Sequence, residues 1–389
     1  MAVTVDPTLL PELRRYGAFD VAACFNCGNC TAVCPMTDDD ATFPRRIIRY
    51  AQVGMKSELL ASKELWTCYY CGECSETCPR QAEPGEFMAA ARRFAIASYD
   101  RTRLARTMYL QPLLGTAIAV MLAIVFAMFM YVDHGPQDGA TLALFQFIPA
   151  EWIHTIGVAV MIVVGLAGLA GLATMARRLA RSEGVGWGTV LGSRAALKRS
   201  VAALWSAIGV ESIGQTRYRR DCQTYQEPVV WYRRRWLLHA LTMWGFLGLF
   251  GATIADYGLD LLGIKATGTP VPIWYPVRLL GTVSGAMLVF GVSMLILNRL
   301  QKANRSVRKS QPADWTLLAL LWLTGVSGFV LELALYLPQA PGWGYWVFLF
   351  HVAVAMELVL LAPFMKLAHV LYRPVALFFF ALRPATDAA

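Results

Sequence analysis

Residues 24–35 read Cys24-Phe-Asn-Cys27-Gly-Asn-Cys30-Thr-Ala-Val-Cys34-Pro35, and residues 68–79 repeat the pattern as Cys68-Tyr-Tyr-Cys71-Gly-Glu-Cys74-Ser-Glu-Thr-Cys78-Pro79. Two-residue gaps let three thiolates meet three corners of one iron–sulfur cubane, while the fourth cysteine leaves the loop and ligates the neighbouring cluster. This spacing assigns Cys24, Cys27, Cys30 and Cys78 to one [4Fe–4S] cluster and Cys68, Cys71, Cys74 and Cys34 to a second. The proline after each fourth cysteine stops regular structure from continuing. Structural zinc also takes four thiolates, but from two separated Cys-x2-Cys pairs, whereas here a triplet plus Cys-Pro occurs twice. Two clusters so close serve to pass electrons singly.

Around these loops the segment 1–105 is mixed in charge. Residues 43–53 and 85–97 have helical apolar spacing, with Pro44 and Pro84 where a helix start tolerates proline. No strand pattern is present. Eight of the nine cysteines fall in the first 110 residues and no secretory signal is read there, so these thiols are metal ligands in a reducing compartment and not disulfides. Cys222 stands apart and reads as an incidental thiol.

From residue 106 onward the composition changes. Apolar runs at about 113–132, 152–176, 236–257, 279–297, 315–337 and 343–372 each have the roughly 20 residues needed to span a bilayer. The predicted fold is all-α, with a helical ferredoxin-type dicluster domain (1–105) followed by a six-helix membrane bundle (106–389). Loop 177–235 carries twelve Lys and Arg and loop 298–314 carries Arg299, Lys302, Arg305, Arg308 and Lys309. The other three loops share one, Lys265. Positive loops stay inside, which places both termini in the cytoplasm and the protein in the inner (cytoplasmic) membrane. The net charge of +9 with 57% apolar residues thus points to anionic lipid and partner subunits, not to nucleic acid. Within the basic loop, residues 189–208 read as an interfacial helix with an apolar face opposite Arg194, Lys198 and Arg199.

Haem in a helical bundle needs two axial ligands at matching depth on facing helices. His351 and His369 are 18 residues apart, roughly 27 Å along one helix. His369 pairs in depth with His239 at the inner side, and His351 with His154 at the outer side, where His134 or water is the alternative to His154. Lys366 and Arg278 are candidates for pairing with haem propionates, or snorkelling residues. Glu332 and Glu357 lie inside spans, where a charge is costly and functional; proton uptake at a quinone site is one reading and hydrogen-bonded packing the other. The glycine ladders 165/168/171, 245/248/251 and 281/285 read as helix-packing faces.

The two cysteine motifs, with Phe-Pro-Arg-Arg-Ile-Ile-Arg-Tyr-Ala-Gln-Val-Gly and Leu-Trp-Thr-Cys-Tyr-Tyr-Cys-Gly-Glu-Cys around them, resemble the C subunit of heterodisulfide reductases. The stretch from Phe350 to Pro374 resembles the haem-bearing helix of the nitrate reductase gamma subunit, which uses two histidines at this spacing. Fusion of the two is similar to the C subunit of the quinone-interacting membrane-bound oxidoreductase family. That resemblance implies one or two b-type haems, quinone as substrate, and heterodisulfide-reductase-like flavoprotein and iron–sulfur subunits as partners, with a link to adenylylsulfate reductase. One departure stands out. Where the gamma-subunit pattern has a second histidine ten residues after the inner one, this chain has Leu249. The competing readings are a redox-sensing anchor without haem and a self-contained substrate reductase; the related reductase chemistry uses adjacent cysteines, and no Cys-Cys pair occurs here.

Overall fold

Asn26 and Gly28 in the first cysteine loop take φ of 67° and 93°, and Tyr70 and Gly72 in the second take 55° and 93°. These left-handed positions curl each Cys-x2-Cys-x2-Cys run and hand it to a one-turn helix, Asn29–Ala32 or Glu73–Glu76. A computed structural model describes residues 4–382 apart from 38–41, 138–140, 222–229, 267, 269–270, 304–306, 308 and 338–340. Cys222, Arg305 and Arg308 lie outside the described residues. Around the loops, helix Arg45–Gln52 buries Ile47, Ile48 and Ala51, and helix Pro84–Tyr99, with proline in its first turn, buries Phe87, Met88, Ala91 and Phe94. Each such large apolar side chain stabilises the fold by about 1.5–3 kcal/mol.

The chain is all-α, with no strand among the described residues. Among the described residues, six helices are long and apolar enough to cross a membrane: Pro112–Tyr131, Ala150–Ser182, Arg235–Leu261, Pro276–Leu300, Pro312–Leu335 and Gly342–Phe364. The protein is a multi-pass membrane protein. The sixth span sits innermost, against the first, second and fifth. The third and fourth spans nearly touch: a Cβ on Gly245 would lie 2.5 Å from Leu288 N, and one on Gly291 2.6 Å from Thr242 Oγ1. Gly251 and Gly165, read from the sequence as packing positions, face open space instead.

Three segments differ from their sequence reading. The second span continues as one helix to Ser182, so Arg177, Arg178 and Arg181 extend it beyond the apolar run. The helix expected over 189–208 is divided by Gly192 and Ser193; the Ser193 hydroxyl caps Arg194–Trp205 by accepting from Ala196 N–H at 3.0 Å. Its Ala196, Ser200 and Ala203 face the protein, while Leu197, Val201, Leu204 and Trp205 face outward. The third difference is the largest. The span predicted over 343–372 is not one helix, and His351 and His369 do not share a helical face. The α-helix ends at Leu361, two short 3-10 turns (Ala362–Phe364 and Lys366–Ala368) flank an extended Met365, and a new helix runs from His369 to Ala381. Pro363 lacks the N–H a continuing helix requires and its ring clashes with the preceding turn.

That break lets His369–Ala381 pack beneath the cysteine domain. Met175 and Leu179 from the second span, with Phe364, Ala368, Tyr372, Ala376 and Phe379, join the same core as Leu9, Ile47, Trp66 and Phe94. The Trp66 ring lies 5.1 Å from that of Tyr372. Two charge clusters, each with a buried member, tie the halves together. Lys63, fully buried, pairs closely with Glu183 at the end of the second span, and Asp314 of the fifth span meets Arg93 at 3.2 Å and Lys366 at 3.3 Å. Removing one partner from a buried pair leaves an uncompensated charge and costs about 3–5 kcal/mol. Glu183→Ala is accordingly expected to lower the thermal midpoint of the detergent-solubilised protein clearly, and Glu183→Asp to do so less; an unchanged midpoint in Glu183→Ala would show that Lys63 finds another acceptor.

Candidate functional site

The folded loops sort the eight thiols into two groups. Cys34 lines one pocket together with Cys68, Cys71 and Cys74. Cys78, with Cys24 and Cys27, is among the neighbouring thiols that raise the Cys30 thiol. The connection between groups is reinforced by Asn29 Nδ2 donating to Thr77 O at 2.5 Å. No three of the described His, Cys, Asp or Glu side chains are close enough to share one metal ion. Four thiols in each group match the ligand number of one four-iron cubane. Burial pushes the Cys30 thiol up to about 11 and the Cys34 thiol up to about 12, with neighbouring thiols adding to the rise. Iron would supply the positive charge that such thiols need to ionise.

The groups differ in depth. Cys27 is exposed, whereas the second loop is held against the membrane domain. Arg235, the first residue of the third span, donates to Tyr70 O at 2.8 Å and Cys71 O at 3.1 Å. Arg373, in the helix that begins at His369, donates to Trp66 O at 3.1 Å and lies over the Tyr69 ring. Each arginine is four residues from a histidine on the same helix, His239 and His369 respectively, and i,i+4 positions share a helix face.

Those two histidines face one another, their ring centres 6.1 Å apart. Nδ1 of His369 lies 2.7 Å from the Lys366 carbonyl, and Nδ1 of His239 lies 3.0 Å from the Gln215 side-chain oxygen. A carbonyl only accepts, so each Nδ1 carries the proton and each Nε2 keeps its lone pair, the state of a metal-binding imidazole. Metal–imidazole bonds are about 2 Å long, so two rings on opposite sides of one metal have centres about 6 Å apart. The pair fits bis-histidine ligation of a haem iron. Tyr218 stands between the His239 ring, at 5.4 Å, and the Tyr69 ring, at 5.3 Å.

The outer histidines are engaged separately. His154 lies tilted against Tyr257 with ring centres 4.4 Å apart, and His351 meets the Ser327 hydroxyl through Nδ1 at 2.9 Å; no ring contact joins the two among the described residues. Gly328 makes room for His351, since a Cβ there would lie 3.2 Å from its ring. His134 stacks on Tyr131 at 4.0 Å. Arg278 and Glu332, assigned different roles from sequence, are 3.6 Å apart, and Thr282 donates to Glu332 at 3.1 Å. Lys366 is drawn to Asp314. Glu357 is buried, and its Oε1 has no hydrogen-bond partner among the described residues. Sequence reasoning passed over Arg92, Arg373, Gln215 and Tyr218. The four-residue spacing of Arg373 from His369 was the available signal; Gln215 and Tyr218 carried none.

Two family models match the chain. One, described as a 4Fe-4S dicluster domain, covers residues 20–82, and the other, described as citrate utilization protein B, covers residues 100–389. The chain belongs to the citrate utilization protein B family. Within that family it is 28% identical to citrate utilization protein B of Escherichia coli, across 42% of this chain and 41% of that protein. Its cysteine domain is similar to the C subunit of the H(2):CoB-CoM heterodisulfide,ferredoxin reductase of Methanothermobacter thermautotrophicus, at 34% identity over 16% of this chain and 34% of that one. It is also 36% identical to the iron-sulfur C subunit of the CoB--CoM heterodisulfide reductase of Methanopyrus kandleri, over 14% of this chain and 29% of that one. The chain thus spans well under half the length of each of these curated relatives. No solved structure matches it. This member of the citrate utilization protein B family therefore combines a domain for two [4Fe–4S] clusters with candidate membrane spans.

Proposed function

We propose that the chain carries electrons between a soluble redox partner and membrane quinone, using two [4Fe–4S] clusters and haem b. Cys24, Cys27, Cys30 and Cys78 hold the outlying cluster; Cys34, Cys68, Cys71 and Cys74 hold the one beside the membrane; His239 and His369 ligate the inner haem. His154 and His351 are the ligands proposed for a second, outer haem. The clusters and haem supply one-electron chemistry, and the chain's residues set their order. One observation carries the reading: two imidazoles engaged through Nδ1 lie with ring centres 6.1 Å apart, one helical turn from the arginines that grip the second cysteine loop. Exposed Cys27 marks the partner's side.

Glu357, buried without a described partner for Oε1, is the better candidate for delivering a proton to quinone; Glu332 is held by Arg278 and Thr282. The proposed location is the inner membrane with both termini cytoplasmic, supported by the Lys/Arg bias of the loops. The outward apolar stripe of Arg194–Trp205 suits lipid contact. The partners proposed are flavoprotein and iron–sulfur subunits of the heterodisulfide reductase type, in an arrangement akin to the quinone-interacting membrane-bound oxidoreductase and its link to adenylylsulfate reductase. The Escherichia coli relative's name points instead to a partner in citrate utilization.

The anaerobically purified protein is expected to contain about eight iron and eight acid-labile sulfide from its clusters. It should also show a dithionite-reduced haem b absorbance that a quinone analogue reoxidises. Clusters without any haem absorbance would remove the haem, and zinc without labile sulfide would remove the whole reading.

A further inference from the structure

The two cysteine loops share a backbone but not an electrostatic setting. At the first, the Cys24 carbonyl accepts from the neutral amide of Gln52 at 2.6 Å. The nearby cations are exposed: Arg45 spends its Nε on Asn26 Oδ1 at 2.9 Å, and Arg80 lies over the Phe25 ring at 6.0 Å. At the second loop the equivalent carbonyl, that of Cys68, accepts instead from the Arg92 guanidinium, whose Nε also reaches Leu65 O at 2.7 Å. Arg235 takes the carbonyls of Tyr70 and Cys71, and Arg373 that of Trp66. Three guanidinium groups from three different helices thus converge on five carbonyls between residues 65 and 71. All three are half-buried, where charge is screened less than at Arg45.

Reduction adds a negative charge to a cluster, and burial opposes it. Cys27 of the first site is exposed, whereas none of Cys34, Cys68, Cys71 and Cys74 is, so the second site has the greater need of compensation. The carboxylates near this loop include Glu73, Glu64 paired with Arg46 at 2.6 Å, Asp314 paired with Arg93 and Lys366, and Glu86, which accepts a hydrogen bond from Tyr70. Net charge and hydrogen bonding around a cluster are what set its potential. We propose that Arg92, Arg235 and Arg373 are positioning residues that raise the reduction potential of the cluster at Cys34, Cys68, Cys71 and Cys74 above that of the cluster at Cys24, Cys27, Cys30 and Cys78. The collar makes the membrane-side cluster the station on which an electron rests, one turn from His239 and His369. This inference rests on the electron-transfer reading above.

The test is a redox titration of the full-length protein followed by electron paramagnetic resonance. Wild type is expected to give two cluster midpoints, with Cys74→Ser removing the higher one and so assigning it. Arg235→Gln and Arg373→Gln should each lower the higher midpoint by at least tenfold in equilibrium constant, about 59 mV for one electron, and leave the lower one in place. Arg235→Lys and Arg373→Lys, which keep the charge, should recover most of the shift, and Arg45→Gln should leave the higher midpoint where it was. If Arg92→Gln does not assemble, the other two arginines carry the test. Midpoints that do not move, that fall together, or that fall equally in the lysine variants overturn the proposal while leaving electron transfer standing. Absence of both signals in wild type overturns the two together.

Discussion

Replacing His369 by alanine is expected to abolish the inner haem absorbance and, with it, electron passage between the clusters and quinone. His239→Ala should give the same loss, because the two rings face each other at 6.1 Å and a six-coordinate iron between them needs both nitrogens. Cluster signals should survive in both variants, since the cysteines sit on their own loops. Gln215→Leu removes the acceptor that fixes the His239 tautomer, along with the amide's donation to Met243 Sδ at 3.2 Å. It is expected to weaken haem retention by about 10–100-fold, the usual cost of losing such a supporting hydrogen bond. His154→Ala should spare the inner haem altogether. Reduced-minus-oxidised spectra of the purified variants decide the matter; a wild-type spectrum that persists in both His239→Ala and His369→Ala ends the assignment.

The second large effect is expected at the crossed cysteines. Cys34→Ser should strip the cluster of the second motif, although Cys34 lies in the first, because Cys34 lines a pocket with Cys68, Cys71 and Cys74. Cys78→Ser should conversely strip the first motif's cluster, because Cys78 sits with Cys24, Cys27 and Cys30. Quantified cluster signals and iron content should each fall by about half in either variant. Damage confined to the motif in which the substituted cysteine lies would refute the crossing. Cys34→Ser should have the further consequence of stopping electrons short of the haem, since the cluster it removes is the one beside Arg235 and Arg373. Cys78→Ser should block only the approach from the soluble side, so that the haem remains reducible through the second cluster.

Much of this protein is written in local patterns. Cysteine spacing by itself determined the cluster type and the number of ligands, since the reach of a thiolate from a Cys-x2-Cys turn is a matter of a few bonds. Apolar runs determined the six spans, because a bilayer of roughly 30 Å imposes its thickness on any helix that crosses it. The pairing of His239 with His369 was read from depth along one continuous last span; the break over Ala362–Ala368 means that their proximity, with ring centres 6.1 Å apart, has a different structural origin. Other features depended on contacts between residues far apart in the chain. Pro363 is ambiguous in sequence, because membrane helices tolerate proline when neighbours take up the freed carbonyl; only the packing of His369–Ala381 on Trp66 and Tyr99 shows that the helix breaks there. Asp314 pairs with Arg93, 221 residues away, and draws Lys366 with it. The Arg278–Glu332 pair likewise depends on two spans meeting. Arg92, Arg235 and Arg373 look like ordinary surface cations until tertiary structure sets them on the carbonyls of one loop. Ligand type and membrane topology come from short-range geometry and solvent, which a linear sequence carries; the assembly of cations and histidines around the second cysteine loop arises from helices meeting in space, which spacing alone does not encode.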